Sequence, residues 1–308
     1  MVRHLYTPVH ILDRMKLSRE VRCQIIRSTG REIMIFRENP IFEYFSDDSR
    51  ADAVLISDGK IIPVGMKEID EKFQDENTDD KACGLSPFYE FRGREKCPID
   101  IGSIFPFPTS EEINFIRERK GELKDTVTGA LSDMANNDTE ISVSNRLKSK
   151  LCEKGLQPYY DPIVAFDGNI WNIWNKPSDR LPEKVMYVDV SVKTQGISAI
   201  FSDTILLTEE RKFVEKYEIL TAAIDKIRTL FVEGNDTSLL STELDGLRRK
   251  NLYLTTPLFP FGHVPIPGER RTIKTRDTSI FDLWVSEDDV RLRKKVVAIA
   301  GSSSATVL

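Results

Sequence analysis

In the N-terminal part of the chain, short apolar runs alternate with polar turns. The segments REIMIFRENPIFEYF, from Arg31, and ADAVLISDGKIIPVG, from Ala51, are rich in the β-branched and aromatic residues that strands prefer. The letters SDGK join two of these runs, and Asp-Gly is a pair that tight hairpin turns favour. This pattern predicts a mixed α/β region that contains a β-hairpin.

Helical spacing replaces this pattern from Thr109 onward. Thr109 or Ser110 can cap a helix, and Glu111 and Glu112 suit its first turn because they face the positive end of the helix dipole. Apolar residues then recur at about helical spacing, at Ile113, Ile116, Leu123, Val127 and Leu131. We predict a long helix that opens a second domain.

The rest of the chain alternates between strand-like and helix-like segments. A helix near SVSNRLKSKLCEKG should end at Gly155, because glycine is the usual residue after a helix C-terminus. Strands are predicted at PIVAFD, KVMYVDVSV and ISAIFSDTILL, and a helix at TEERKFVEKYEILTAAIDKIRTLF. The tail KKVVAIAGSSSATVL should add a strand and a short flexible end. The order of elements predicts an α/β (α+β) chain with domains at 1–107 and 108–308.

Composition and charge narrow the possible functions. The 308 residues are 40% hydrophobic and 30% charged, and the net charge of -5 comes from acidic and basic residues that are mixed along the chain. No basic patch for nucleic acid is indicated. No signal-peptide pattern is present, and no run approaches the roughly 18 apolar residues of a membrane span, so we expect no membrane partner and a cytoplasmic location.

The acidic stretch DEKFQDENTDDKACG, residues 70–84, contains few large apolar residues. We expect a mobile surface loop, with a metal-binding acidic cluster as the alternative. The cysteines Cys23, Cys83, Cys97 and Cys152 are far apart and form no C-x-x-C pair. Free, buried and inert thiols are therefore favoured over disulfides or a zinc site.

Six segments of the second domain carry a further signal: SEEINFIRE, LCEKGLQPYYDPIVAFDGN, MYVDVSVKTQGI, VEGNDTSLL, PGERRTIK and VRLRKKVVAIAGSSSATVL. In this order they resemble the pita-bread family of prolidases, aminopeptidase P, methionine aminopeptidase and creatinase. The resemblance covers roughly residues 108–301 and, more weakly, the N-terminal region. It implies a small creatinase- or prolidase-like α/β domain followed by a pita-bread domain.

In enzymes of this family two metal ions share a water and polarise the scissile carbonyl. Their ligands are two aspartates of a hairpin, one histidine and two glutamates of the last strands. The resemblance places the first aspartate at Asp189. The second falls on Ile200 without a gap, or on Asp203 after a three-residue insertion. The two glutamates fall on Lys274 and Arg293, which cannot bind a cation.

The histidine ligand has two alignments. His263 is the only histidine beyond residue 10. It matches either the metal-binding histidine or a second family histidine, and in the second case Thr256 takes the ligand position. A hydrogen-bonded structural histidine is the other interpretation. No alignment restores the full set of ligands.

The segment GNIWNIWNKPSD, residues 168–179, resembles the loop that presents a further histidine over the family's substrate pocket. Asn169 and Pro177 keep the loop's pattern, while Trp174 replaces the histidine. Indole donates one hydrogen bond but cannot accept or transfer a proton, so acid-base chemistry at this position is lost. Trp171 and Trp174 either fill the pocket as core or offer an aromatic surface to a ligand.

The resemblance also implies an arrangement for the charges of the former metal site. If the strands keep the family's positions, Asp189, Lys274 and Arg293 point into one site, where the cations would keep the carboxylate ionised. Alternatively, Lys274 and Arg293 reach solvent, as long basic side chains do.

Taken together, these residues favour a non-catalytic homologue of Xaa-Pro dipeptidase and aminopeptidase P that binds a peptide or protein partner and has no cofactor. The alternative is an active Xaa-Pro dipeptidase or aminopeptidase with an altered site. Such an enzyme would hold two divalent ions, such as manganese, cobalt or zinc, and its candidate ligands are Asp189, Asp203 and His263. Relatives often pair, so a homodimer is also allowed.

Overall fold

A computed structural model describes much of the chain: residues 16–28, 30, 32–37, 42–46, 50–65, 82–85, 108–171, 176–194, 197–248, 252–255 and 272–308. The chain divides into two compact units. The first comprises Met1–Phe115 with Thr194–Ile197, and the second comprises Ile116–Lys193 with Ser198–Leu308. The domain boundary between residues 107 and 108 stays a prediction.

The first unit combines short helices with a sheet. Its described elements are α1 (Lys16–Ser28), β1 (Glu32–Phe36), α2 (Phe42–Phe45), β2 (Ala53–Ser57), β3 (Lys60–Val64) and β4 (Ala82–Leu85). The strands form one sheet in the order β3-β2-β1-β4, in which β4 runs parallel to β1 and the other pairs are antiparallel. Four of the five residues of β1 and of β2 are buried, so these strands supply the core of the sheet.

The hairpin predicted at SDGK is confirmed. β2 and β3 pair from Ser57 and Lys60 outward, with Asp58 and Gly59 between them. Both turn residues have positive φ, 49° and 75°. This is the type I′ geometry, whose twist matches that of the strands it joins and which Asp-Gly adopts readily.

The prediction of a surface loop over residues 70–84 is wrong at its C-terminal end. Ala82–Leu85 form β4, and Ile33 of β1 lies opposite Cys83. The small residues of this segment give no alternating pattern, and the pairing with β1 decides its conformation. Residues 70–81, and with them the alternative acidic metal cluster, lie outside the described residues.

The long helix α3 spans Ser110–Ser132. Of the two predicted cap residues, Thr109 is the one that caps it. The Glu112 backbone N–H donates to Thr109 Oγ1 at 3.2 Å, and the Thr109 N–H donates to the Glu112 carboxylate at 2.6 Å. This reciprocal pair is a capping box. Glu112 is fully buried, and it also accepts hydrogen bonds from Arg22 and from Tyr44, each at 2.7 Å. A buried carboxylate requires such partners.

The second unit contains two sheets and several helices. Its described elements, after α3, are α4 (Glu140–Glu153), β5 (Ile163–Phe166), a 3-10 helix (Asp167–Trp171), β6 (Val185–Thr194), β7 (Ile197–Leu206), α5 (Arg211–Leu230), α6 (Thr237–Arg248), β8 (Leu252–Thr255), β9 (Thr278–Glu287), β10 (Val290–Ile299) and β11 (Thr306–Val307). The strand orders are β5-β6-β7 and β11-β10-β9-β8. The predicted α/β (α+β) class is confirmed.

Helix α4 begins and ends at sequence signals. The Thr139 side chain accepts the Ser142 N–H at its N-terminus. At the other end Gly155 has a φ of 69°, and its N–H donates to the carbonyl of Cys152 while Leu156 donates to Leu151. This is the Schellman arrangement. The prediction that the helix would end at Gly155 is confirmed.

Strand β6 is buried on both faces and separates two parts of the core. Its residues Met186, Val188, Val190 and Val192 pack in the core cluster that α3 and α4 line. Val185 and Tyr187 pack in the other cluster, with α5 and the β9–β10 hairpin. Successive side chains of a strand point to opposite faces. Asp189, an odd-numbered residue like Tyr187, is therefore directed to the β10 side.

The C-terminus is not the flexible end that the sequence suggested. Thr306–Val307 pair with Ala298–Ile299, and Leu308 exchanges backbone hydrogen bonds with Val297. Gly301 permits the return of the chain, because a Cβ atom there would lie 2.4 Å from the carbonyl oxygen of Ser304. The expectation was wrong because two residues carry too little pattern to indicate a strand.

The cysteines only partly match the expectation. Cys23 and Cys152 are free; Cys23 is buried, whereas Cys152 is exposed, which corrects the prediction for that residue. Burial raises the pKa of Cys23 to about 11, so its thiol is unreactive near neutral pH. Of Cys83 only the backbone is described, and Cys97 lies outside the described residues. Within the described ranges, no helix is long and apolar enough to cross a membrane.

Candidate functional site

Asp189, at the retained aspartate position, lies at the centre of a buried polar cluster. Its side chain is fully buried in β6. The Tyr160 hydroxyl donates to Oδ1 at 2.7 Å, and the Tyr187 hydroxyl donates to Oδ2 at 3.0 Å. The Lys295 ammonium of β10 forms an ion pair with Oδ2. Both carboxylate oxygens are therefore occupied by donors.

Lys295 is held in place by β7. Its backbone N–H donates to Ser202 Oγ at 3.0 Å, and the same oxygen lies 3.0 Å from the Tyr187 hydroxyl. The Lys295 side chain is 15% exposed, whereas its partner Asp189 is wholly enclosed. Side chains and backbone from β6, β7 and β10 thus meet around one ion pair.

Arg293 lies two residues earlier on the same face of β10. Its side chain is 2% exposed and binds Asp282 of β9 through two hydrogen bonds, from Nε at 2.9 Å and from Nη2 at 2.6 Å. Burial lowers the pKa of Arg293, but the hydrogen bonds to Asp282, together with the charges of Tyr187, Asp282 and Asp189, outweigh burial and raise the pKa overall. The guanidinium therefore stays charged although it is buried.

The tyrosines of the site stay protonated. Burial, followed by the charge of Asp189, raises the pKa of Tyr160 and of Tyr187 above the ordinary value of 10.0. Both hydroxyls can thus donate to the carboxylate at any physiological pH. We call the six side chains that form these contacts the central cluster: Tyr160, Tyr187, Asp189, Asp282, Arg293 and Lys295.

The central cluster does not fit a pair of divalent metal ions. Asp189 and Asp282 carry the negative charges, and each is already paired with a cation, Lys295 and Arg293 respectively. A metal ion near Asp189 would meet the Lys295 ammonium. Within the described residues, no three His, Cys, Asp or Glu side chains are grouped so that they could hold a metal ion.

Asp203, the alternative to Ile200 at the second aspartate position, is directed away from Asp189. Lys294 Nζ lies 2.7 Å from its Oδ2, and the Tyr217 hydroxyl donates to Oδ1 at 3.1 Å. Ser202, the neighbouring residue, contacts the central cluster instead. By the alternation of β7, Ile200 shares the face of Ser202. The structure thus separates Asp203 from the cluster, and the choice of Ile200 for the second aspartate position stays a prediction.

Lys274 does not neutralise Asp189, contrary to the arrangement that the resemblance implied. It is exposed in the turn before β9, where its backbone N–H donates to Asp277 Oδ2 at 2.9 Å. Lys295 pairs with Asp189 instead, and Arg293 lies in the same cluster as expected. The resemblance did not indicate Lys295, because it is not a ligand position. The available signal was that residues 293 and 295 share one face of a strand.

The tryptophan loop is attached to α4 by a residue that the sequence did not single out. Glu140 is fully buried, and both of its carboxylate oxygens accept from Asn169 Nδ2, at 3.0 and 2.9 Å. The backbone N–H and hydroxyl of Ser178 donate to it at 2.8 and 2.6 Å, and the Phe166 N–H donates at 2.7 Å. Glu140 therefore fixes both ends of the loop. The sequence signal that could have indicated this role is the position of Glu140 directly after the helix cap Thr139.

Several candidates lie where the structure gives no side-chain information. Trp174, His263 and Thr256 lie outside the described residues, and of Trp171 only the backbone is described, at the end of the 3-10 helix. Their predicted roles stay predictions.

A separate cavity of about 650 Å³ contains none of the predicted site residues. Its lining residues are Asp167, Gly168, Glu183, Lys184, Phe213, Ser286, Asp289 and Arg291. Most of its charged groups are already bound: Asp167 accepts three backbone N–H groups, Lys212 pairs with Asp289, and Arg291 donates to backbone carbonyls. Nothing in its lining favours one class of ligand.

Solved structures provide the comparison. X-Pro aminopeptidase from Thermotoga maritima is similar with a TM-score of 0.71 and 14% identity, over 90% of this chain and 94% of that one. The prolidase from Pyrococcus horikoshii is similar with a TM-score of 0.71 and 14% identity, over 94% of this chain and 96% of that one. Aminopeptidase P from Escherichia coli, with the inhibitor Pro-Leu, is similar with a TM-score of 0.70 and 14% identity, over 96% of this chain and 94% of that one.

The chain has the pita-bread fold. The likeness extends over nearly the whole length of these enzymes, which confirms the fold that the resemblance implied. No protein-family model matches the sequence, and no curated protein matches it either. At 14% identity the pita-bread fold is shared while the activity is not thereby established.

Proposed function

We propose that this protein is a non-catalytic homologue of Xaa-Pro peptidases that binds a peptide or protein partner without metal-dependent hydrolysis. The observation that supports this most directly is the ion pair of Asp189 with Lys295. Asp189 is the one acidic ligand position that the resemblance leaves intact. Its charge is already neutralised by a neighbouring ammonium, so a divalent ion would gain little attraction there and would meet a repelling cation.

Arg293 supports the same proposal from the final strand hairpin. It occupies the position of the last glutamate ligand, and it is buried against Asp282 rather than directed to solvent. Metal-dependent hydrolysis needs anionic ligands that offset the charge of the ions and lower the pKa of a bound water. A guanidinium and an ammonium supply the opposite charge. We therefore propose that the protein has no metal cofactor.

The decisive test combines metal content with activity. The protein would be produced with manganese, cobalt or zinc in the medium, its metal measured by mass spectrometry, and its cleavage of Xaa-Pro dipeptides followed by release of the free amino acid. We expect no stoichiometric metal and no cleavage, with the Pyrococcus horikoshii prolidase assayed in parallel. Two equivalents of bound metal, or metal-dependent cleavage, would instead support an active peptidase with an altered site.

Partner binding needs its own measurement. Calorimetric titration with the dipeptide Pro-Leu, the inhibitor in the Escherichia coli aminopeptidase P structure, would detect peptide binding without turnover. We expect a binding signal, with intact dipeptide recovered at the end. The absence of binding would count against a peptide-binding role. The cytoplasmic location and the homodimer stay predictions.

A further inference from the structure

One corner of the Arg293 guanidinium is buried without a hydrogen-bond partner among the described residues. Nε and Nη2 both donate to Asp282, whereas Nη1 has no acceptor within that part of the chain. The side chain is only 2% exposed. Buried polar groups are almost always paired, and an unpaired donor of a charged group is costly. An acceptor atom from outside the chain would satisfy it.

Two aromatic rings and Asp282 lie next to the Arg293 guanidinium. The guanidinium carbon lies 3.9 Å from the centroid of the Trp284 ring and 5.1 Å from that of Tyr187, so aromatic rings flank the group. Asp282 binds the Nε–Nη2 edge. Nη1 is therefore directed away from Asp282. The central cluster that contains it extends toward the surface at Tyr160 and Lys295, which are both partly exposed.

Charge balance selects the chemistry of the acceptor. The two cations Lys295 and Arg293 are matched by the two carboxylates Asp189 and Asp282. A ligand carboxylate at Nη1 would bring an unmatched negative charge into a buried site, which costs more than its hydrogen bond returns. A neutral carbonyl oxygen accepts the same N–H groups without adding charge.

We propose that Nη1 of Arg293 binds a main-chain carbonyl oxygen of a peptide ligand. This inference rests on the proposed function, and it names the atom by which the peptide is recognised. The guanidinium would hold the carbonyl as a hydrogen-bond donor, and the paired carboxylates of the cluster would leave no base to activate a water against it. Binding without hydrolysis follows from the same arrangement.

The test compares Pro-Leu with its (E)-alkene isostere, which keeps the planar shape of the peptide bond but lacks the carbonyl oxygen. Titration of the unmodified protein should show the isostere binding roughly 10- to 100-fold more weakly, as expected for loss of a hydrogen bond to a charged donor. The Arg293→Lys variant should bind Pro-Leu more weakly by a similar factor. The variant should also bind the two ligands with equal affinity, because the arginine substitution and the missing carbonyl oxygen remove the same hydrogen bond.

Arg146→Lys is the matched control. Arg146 pairs with Asp138 through Nη2 at 2.7 Å, and its Nη1 also lacks a partner among the described residues, but it lies outside the central cluster. This variant should bind both ligands as the parent does. If Arg293→Lys does not fold, the comparison of the two ligands on the unmodified protein still decides the question.

Three results would overturn the inference. Equal affinity for Pro-Leu and the isostere would show that no carbonyl contact exists. Retained discrimination in Arg293→Lys would assign the contact to another donor. A crystal structure with bound Pro-Leu and only a water at Nη1 would do the same. Each of these leaves peptide binding intact, whereas no binding of Pro-Leu to the parent would contradict the proposed function as well.

Discussion

At the residue scale, Asp189 depends on three side-chain partners. It is fully buried and accepts from Tyr160, Tyr187 and Lys295. Removing one member of a buried ion pair leaves the other charge stranded. The effect should therefore appear in the free energy of unfolding rather than in any surface property.

We expect Asp189→Ala to lower the free energy of unfolding by about 3 to 5 kcal/mol, measured by urea denaturation. Combining it with Lys295→Met should recover part of the loss, because the stranded ammonium is removed. Asp161→Ala is the control, since Asp161 and its partner Lys148 are 76% and 52% exposed, and it should change stability little. Equal denaturation midpoints for the parent and both Asp189 variants would show that the pair does not stabilise the fold.

The shifted pKa of Lys120, in α3, leads to a prediction on how the stability of the fold depends on pH. Burial, and then the charge of Lys294, lower its pKa from 10.5 to about 8. Between these two values the unfolded chain holds a proton that the folded chain has lost, so this group makes stability rise with pH from about 8 to 10.5 and opposes folding fully below that range.

Lys120→Met should accordingly raise the urea midpoint at pH 7 and show a flatter rise between pH 8 and 10 than the parent. The comparison is between variant and parent, because other lysines and the tyrosines also titrate there. Lys154→Met, at an exposed position at the end of α4, should retain the parent's pH profile. If the two variants behave alike, Lys120 is not the titrating group.

At the scale of elements, the strands determine which charges meet. In the β9–β10 hairpin Arg293 lies opposite Trp284 and Lys295 lies opposite Asp282. Alternation sends Lys294 to the other face, toward Asp203. The sequence predicted a strand in the segment of β10 but none in the segment of β9. It could not predict which cation reaches Asp189, because that depends on how two separate sheets approach each other.

Local signals explain which elements were predictable. The Asp58–Gly59 turn, the Thr109 cap and the Gly155 helix end each depend on residues within a few positions. β4 and β11 have no such signal and form only because a partner strand lies beside them. The same reasoning applies to the site, where Arg293 was identified by resemblance while Lys295 and Glu140 required the fold.

The hydrogen bonds of Glu140 lead to a prediction on the stability of the loop that begins with the 3-10 helix. In Glu140→Gln the side-chain amide would place N–H donors against the N–H groups of Asn169 and Ser178. We expect a loss of about 2 kcal/mol or more in stability and faster hydrogen exchange at the backbone amides of Phe166 and Ser178. Glu153→Gln, at the exposed end of α4, is the control. Unchanged exchange at both amides would contradict an anchoring role.

At the scale of the whole molecule, this chain combines the pita-bread fold with two buried ion pairs in its second unit. The similarity to the Thermotoga maritima and Pyrococcus horikoshii enzymes covers at least 90% of the chain at 14% identity. The two ion pairs, Asp189 with Lys295 and Asp282 with Arg293, connect three strands of the second unit. Protein side chains thus supply the positive charge of the central cluster.

This arrangement leads to a final prediction on metal dependence. A ligand that binds only the folded state raises the melting temperature, so an ion without a site leaves it unchanged. We expect the same melting temperature with manganese, cobalt, zinc or a chelator. The single substitution Lys274→Glu should not alter this, because Lys295 and Arg293 still repel a cation beside Asp189. The Pyrococcus horikoshii prolidase serves as the comparison in the same scans. A rise in the melting temperature of the parent with any of these ions would show that the protein binds metal despite the two ion pairs. The metal ligands would then include residues outside the described ranges.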